Sequence, residues 1–203
     1  MITILGDGTL ADAIAMNVET NIPEEVIWVA YDVPDDRDKV IDHIFDDLSA
    51  FPPSIVILST QLILGCCAMF EARFPQHRFA VYPENLRVAT AERDFRNQDR
   101  AVIGTRHLDL HPFFINLFHP YTKRIIFMSP ESAEMTKHAT NGFLAMSIQY
   151  ANRINDLCHL HGADYTDVQQ ALLADKRIGP HAYLTPGDIG SHLQRELNNL
   201  DAL

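Results

Sequence analysis

Short apolar runs alternate with amphipathic segments along the first 128 residues of the chain. The apolar runs lie at residues 1–5, 26–31, 54–58, 78–82, 101–104 and 124–128. Their length and their β-branched residues predict buried strands. Apolar residues at helical spacing predict helices at residues 11–18, 38–48, 64–73 and 112–118. This alternation with short connections predicts an α/β fold with a doubly wound parallel sheet, in which ligands bind at the carboxyl ends of the strands.

One long amphipathic stretch follows the last predicted strand. Ser129 is a good N-cap, Pro130 suits the first helical position and Gly162 is a natural stop. We therefore predict a helix over residues 130–161, which would be about 45 Å long. Its apolar residues cover more than one narrow stripe, so both a domain and a second copy of the chain are expected to pack on it. The sequence predicts a homodimer built on this helix.

The long helix also divides the chain. Thr166 and Gln169 form the pattern of a capping box for a further helix that ends at residue 174. We place an α/β domain over residues 1–128 and a helical dimerisation domain over residues 129–203.

Composition narrows the function. The formal net charge of −11 argues against nucleic acid or an anionic membrane as the main partner, and no apolar run approaches the length of a membrane span. Three cysteines without a C-x-x-C pair favour the reducing cytoplasm. His107 and His111 have helical spacing, but no H-E-x-x-H pattern accompanies them, so we expect no metal site.

A glycine-rich turn separates the first strand from the first helix. It has the pattern G-x-G-x-x-A, in the order Gly6-Asp7-Gly8-Thr9-Leu10-Ala11. Such a turn lets a dinucleotide pyrophosphate approach the helix N-terminus, as in Rossmann-like domains. An ordinary strand-to-helix turn remains the alternative. Asp32 ends the second apolar run and stands where an acid that holds the adenosine ribose is expected.

Lys137 and Asn141 lie four residues apart and so on one face of the long helix. A cation and an amide displayed together can hold a reacting oxygen. An ordinary solvated helix face is the alternative.

Three separate motifs together resemble the UDP-glucose/GDP-mannose dehydrogenase family. They are the run PENLRVATAERDFRNQDRAVIG from Pro83, the long helix, and the tail DKRIGPHAYLTPGDIGSHLQREL. The resemblance implies an N-terminal NAD domain, a central helical dimerisation domain and a C-terminal nucleotide-sugar domain. It also implies oxidation of a sugar C6 alcohol to a carboxylate, in two NAD-dependent steps through a cysteine-bound intermediate. A relation to the 3-hydroxyacid dehydrogenases is a further alternative, against which the PENLR and RIGP runs argue.

The resemblance assigns site residues one by one. Thr60 is similar to a threonine that orders a catalytic water, and Glu84 is similar to the acid/base glutamate. Lys137 and Asn141 match a K-x-x-x-N pair that stabilises charge on the sugar oxygen. The expected cofactor-binding residues are Gly6, Gly8, Thr9, Leu10 and Ser59.

The chain departs from the family pattern in three places. His192 stands at the position of the nucleophilic cysteine, and imidazole cannot form the thiohemiacetal and thioester of the second oxidation. Compared with the family, about two strand–helix units are expected to be missing between Val18 and Val26. Residues 1–128 would then form a shortened Rossmann-like, NAD-binding-type domain, and the position of Asp32 would be a coincidence. The nucleotide-sugar domain is expected to be absent after Leu203.

These observations leave two hypotheses. The first is an NAD(P)-linked oxidoreductase that acts on a nucleotide sugar or a similar alcohol, by at most one two-electron step. The second is a catalytically inactive, dimeric binding or scaffold protein that kept the dehydrogenase fold.

Overall fold

The computed structural model describes residues 1–32, 37–84, 86–190, 193–194 and 197–198. The chain forms two compact units, Met1–Lys137 and His138–Leu203. The units divide inside the long helix, later than the boundary at residues 128 and 129 that the sequence suggests.

Within the described residues, six strands and their connecting helices build the first unit. The strands are β1 (Ile2–Leu5), β2 (Val26–Val29), β3 (Ile55–Leu58), β4 (Arg78–Val81), β5 (Ala101–Thr105) and β6 (Ile125–Met128). The helices are α1 (Thr9–Asn17), α2 (Arg37–Ser49), α3 (Cys66–Arg73), α4 (Ala91–Arg96), α5 (His111–Phe118) and the start of α6 (Pro130–His161). Short 3-10 turns at Val88–Thr90 and Leu108–Leu110 precede α4 and α5. The predicted α/β class and the long helix are confirmed.

The strands follow one another across the sheet in chain order, β1-β2-β3-β4-β5-β6. The first four are parallel, with Ile2 opposite Val26 and Val26 opposite Ile55. β5 runs antiparallel to β4, and β6 is parallel to β5. The sheet is therefore mixed rather than purely parallel, because the connection through α4 returns the chain without the crossover that a parallel neighbour requires.

The two faces of the sheet carry different helices. Core residues of α1, α4 and α5 pack on one face, and those of α2, α3 and the start of α6 pack on the other. From β1 to β2 and from β2 to β3, the chain moves in the same direction across the sheet, and both pairs of strands are parallel. Nevertheless, α1 and α2 lie on opposite faces. The two connections therefore have opposite hands. Since about 98% of such crossovers are right-handed, and the β3–α3–β4 step shares the hand of β2–α2–β3, the β1–α1–β2 connection is the exception.

The reversed hand has a simple explanation in the strand order. A complete Rossmann sheet has the order 3-2-1-4-5-6, so its first strand lies directly beside its fourth. If the second and third strands of such a sheet are removed with their helices, the first strand still lies beside the fourth. In this chain these two strands correspond to β1 and β2, and α1 keeps its original face of the sheet. The topology thus agrees with the loss of two strand–helix units between Val18 and Val26.

The second unit contains the rest of α6 and α7 (Tyr165–Ala174). Asp164 is the N-cap of α7, and its carboxylate accepts a hydrogen bond from the Thr166 backbone at 2.8 Å. The predicted capping box was wrong, because Gln169 instead donates to the Leu184 carbonyl at 2.7 Å. In the part of the chain that the structure describes, no helix is long and apolar enough to cross a membrane.

Candidate active site

Lys137 and Glu84 form a half-buried ion pair at the carboxyl end of the sheet. Glu84 follows β4, and Lys137 lies in the second turn of α6. The Lys137 Nζ atom lies 3.2 Å from Glu84 Oε1 and donates to the Glu84 carbonyl at 2.5 Å. Only 12% of the lysine side chain and 16% of the glutamate side chain are exposed. A pair shielded from water in this way interacts more strongly than a surface pair and is held in one geometry.

The segment after Glu84 is fixed by Asp94 on α4. Arg87 donates two hydrogen bonds to the Asp94 carboxylate, at 2.8 and 2.9 Å, and Thr90 Oγ1 donates a third at 2.7 Å. The Arg87 guanidinium holds the pKa of the Asp94 carboxyl well below its usual range. Glu84 Oε2 itself accepts from the Leu86 backbone at 2.5 Å. Asp94 therefore positions the run that carries Glu84, a role that sequence reasoning missed.

Thr60 and Ser59 lie together at the end of β3 and are both buried. Thr60 Oγ1 accepts from the Tyr31 backbone N–H at 2.8 Å, and Ser59 Oγ accepts from Trp28 Nε1 at 2.8 Å. Both hydroxyls thus join β3 to the neighbouring strand. Each hydroxyl still carries a hydrogen of its own that it can donate.

The glycine turn lies tightly against the end of β2. Gly6 and Gly8 have φ angles of 132° and 89°, and a Cβ atom on Gly6 would lie 2.4 Å from the Ala30 carbonyl oxygen. Only glycine tolerates this conformation at so close an approach. Gly8 is the N-cap of α1, and Leu10 in the first turn of α1 is buried in the core.

Asp32 reaches the N-terminus of α1. The Thr9 backbone N–H donates to Asp32 Oδ2 at 3.2 Å, and a Cβ atom on Gly8 would lie 2.1 Å from that same oxygen. A carboxylate therefore lies where the glycine pattern predicts a pyrophosphate.

The remaining predicted residues belong to the second unit. Asn141 lies one turn after Lys137 on α6, is buried, and has an Nδ2 atom with no hydrogen-bond partner among the described residues. His192 lies outside the described residues. The tail before it is anchored by Asn152, which donates to the Gly187 carbonyl at 2.9 Å and accepts from the Gly187 N–H at 2.7 Å. The spacing of 35 residues gave no signal for this contact.

Glu134 near the start of α6 is a further buried residue with a structural role. Its buried carboxylate accepts from the Gly65 and Cys67 backbone at 2.6 and 2.8 Å, and from the Cys66 thiol at 3.2 Å. It therefore caps the N-terminus of α3 from a distant part of the chain. Burial raises the pKa of both thiols, which keeps them protonated and weakly nucleophilic.

Comparison with known proteins points to one family. The central domain of the UDP-glucose/GDP-mannose dehydrogenase family matches residues 131–202. UDP-glucose 6-dehydrogenase of Rickettsia typhi is 30% identical over 179 residues, which are 83% of this chain and 40% of that protein. The enzyme of that name from Pseudomonas aeruginosa is 37% identical over 102 residues, or 49% of this chain and 22% of that protein.

A solved structure shares the fold over most of the chain. UDP-glucose dehydrogenase of Pyrobaculum islandicum superposes with a TM-score of 0.73 and 24% identity, covering 88% of this chain and 46% of that one. The chain spans less than half the length of each of these three proteins.

Proposed function

Because the chain belongs to the UDP-glucose/GDP-mannose dehydrogenase family, we propose that it is an oxidoreductase of the nucleotide-sugar dehydrogenase type. The proposed reaction is at most one two-electron step on an alcohol or aldehyde, such as the C6 group of a nucleotide sugar. The observation that carries the proposal is the shielded ion pair of Lys137 with Glu84 at the ligand-binding edge of the sheet. The free state of all three cysteines supports a place in the reducing cytoplasm.

The pair supplies acid–base and electrostatic chemistry. In the proposed reaction the Glu84 carboxylate takes the proton of the substrate hydroxyl, while the Lys137 ammonium donates a hydrogen bond to the oxygen as negative charge grows on it. Asn141 stands four residues after Lys137 in the sequence, and the family resemblance assigns it as a second donor for that oxygen. The hydroxyl hydrogen of Thr60 remains available to hold a water molecule.

The glycine turn is the candidate cofactor site. Gly6, Gly8 and Thr9 would hold the pyrophosphate of NAD or NADP. The nicotinamide ring of the cofactor would supply the hydride acceptor. The fit is supported by Asp32, since the Thr9 N–H already donates to an anionic oxygen at that position. Leu10 would support this site indirectly, because its buried side chain fixes α1 in the core. Ser59 would do so through the hydrogen bond that it accepts from Trp28.

A second candidate function is a binding or scaffold protein without turnover. The observation that favours this function is that the Asp32 side chain lies against the glycine turn. It shares the ligand-binding residues with the first candidate but needs no cofactor.

Loss of the Lys137 ammonium should weaken binding of the sugar nucleotide. We expect Lys137→Met to lower the affinity for UDP-glucose or GDP-mannose at least about tenfold, because one charge-assisted hydrogen bond is lost. Lys123→Met is the matched control, since Lys123 is exposed before β6 and the same charge is removed. Calorimetric titration of both variants and of the wild type measures the effect. Equal affinities in the two variants would contradict the assigned site, and no binding by the wild type would exclude both sugar nucleotides as substrates.

We also propose that the protein is a homodimer through α6. Large apolar side chains remain exposed along one stripe of this helix in the second unit, namely Phe143, Met146, Tyr150, Leu157 and Leu160, which are between 44% and 76% exposed. A helical stripe of this kind in water marks an interface, and a second copy offers the same stripe in return.

A charge in this stripe should separate the dimer. Phe143→Asp is expected to shift the protein from dimer to monomer at micromolar concentration in sedimentation velocity, because the new carboxylate would be buried without a partner. His159→Asp is the control, because His159 is exposed on a different side of α6. A monomeric wild type, or a dimer that persists in Phe143→Asp, would contradict the proposal.

A further inference from the structure

We propose that Asp32 is an internal occupant of the glycine turn, so that the pyrophosphate of a dinucleotide binds there only when it displaces this carboxylate. This inference rests on the proposed function, which supplies the class of cofactor. It concerns what controls access to the site rather than the reaction itself.

Contacts with Thr9 and Gly8 place the Asp32 carboxylate in the glycine turn. Asp32 Oδ2 accepts the Thr9 N–H at 3.2 Å, which is one of the orphan donors at the start of α1. A Cβ atom on Gly8 would lie 2.1 Å from that oxygen and 2.8 Å from the Asp32 Cγ atom. Gly8 has no side chain, which in a glycine turn of this kind leaves space for a phosphate. The Asp32 carboxylate fills that space.

The strand order explains how Asp32 arrives there. β1 pairs directly with β2, and the Ala30 N–H donates to the Leu5 carbonyl at 2.7 Å. The Tyr31 N–H is then held by Thr60 at 2.8 Å, which fixes the backbone just before Asp32. In a complete Rossmann sheet the acidic residue that holds the ribose follows a strand on the other side of β1. Here the strand beside β1 delivers a carboxylate to the glycines instead.

Negative charge at the glycine turn prevents the Asp32 carboxylate and a pyrophosphate from occupying it together. Asp12 lies in the first turn of α1, and Asp7 lies between the two glycines. A pyrophosphate that entered with Asp32 in place would meet a third carboxylate in direct contact. Displacement of Asp32 therefore has to accompany binding, and the apparent affinity falls by the fraction of molecules in which the turn is open.

Removal of the Asp32 carboxylate should open the site. We expect Asp32→Ser to bind NAD at least about tenfold more tightly than the wild type, because a hydrogen bond to a charged group no longer competes. Asp12→Ser is the matched control: it removes the same charge from the same helix end, but not from the glycine turn. NAD is titrated by calorimetry, with thermal melting to verify that each variant is folded. Adding Gly8→Asp to the Asp32→Ser chain should remove the gain, because a carboxylate returns to the turn.

The outcomes separate this inference from the proposed function. A gain in Asp32→Ser that exceeds the gain in Asp12→Ser supports the internal occupant. Equal gains would reduce the effect to general electrostatics and overturn it. No NAD binding by Asp32→Ser would overturn it as well, while Lys137-dependent binding of a sugar nucleotide would leave the assigned acid–base site standing.

Discussion

Glu134→Ala is expected to lower the free energy of unfolding by about 3 kcal/mol or more, because three donors, two of them on buried residues, lose their common acceptor. Two of these donors are the backbone N–H groups of Gly65 and Cys67, and the third is the Cys66 thiol. The N–H groups lie at the start of α3, where the helix itself offers no partner, and the side chain of its N-cap residue Gly65 cannot supply one. Urea denaturation followed by circular dichroism measures the change.

Glu131→Ala is the control for this prediction. Glu131 lies on the same helix and carries the same charge, but its side chain is 50% exposed and its partner is Arg106. Exposed ion pairs of this kind contribute about 1 kcal/mol or less. A similar loss of stability in the two variants would mean that Glu134 acts through its charge at the helix end rather than as the cap of α3.

The elements of the fold were readable from the sequence because local signals determine them. Apolar runs of four to six residues located the six strands of the described residues, and the Ser129 cap with the Gly162 stop located α6 to the residue. The Ser132 N–H does donate to Ser129 Oγ, at 3.2 Å. The reversed direction of β5 carried no such signal, because apolar strands read alike in either direction.

The candidate site was only partly predictable for a different reason. The resemblance brought Glu84 and Lys137 to notice, and the structure brings them together across 53 positions of sequence. The contact of Asp32 with Thr9 depends instead on which strand lies beside β1, a property of the whole sheet. The cap that Glu134 provides likewise joins residues 67 to 69 positions apart, beyond the reach of any helix-capping pattern.

Oxidation of UDP-glucose by the wild type should stop short of UDP-glucuronate. We expect at most one NADH per substrate and no acid product, because a thioester is needed for the second oxidation and His192 stands at the cysteine position. Cys66 and Cys67 cannot substitute, because both are buried and burial raises their pKa. NADH absorbance together with mass detection of the product measures the ratio.

Variants of the two key positions complete the test. Lys137→Met should lower any turnover by about 10²–10³-fold, the usual cost of losing one donor to a developing oxyanion, whereas Lys123→Met should leave it unchanged. His192→Cys alone should not produce UDP-glucuronate, because a catalytic thiol also needs a depressed pKa and a substrate held at the right distance. Two NADH per UDP-glucuronate from the wild type would refute the two-electron limit. Turnover that survives in Lys137→Met would remove Lys137 from the reaction, and no turnover by the wild type or by the opened Asp32→Ser chain would favour the binding or scaffold protein over the oxidoreductase.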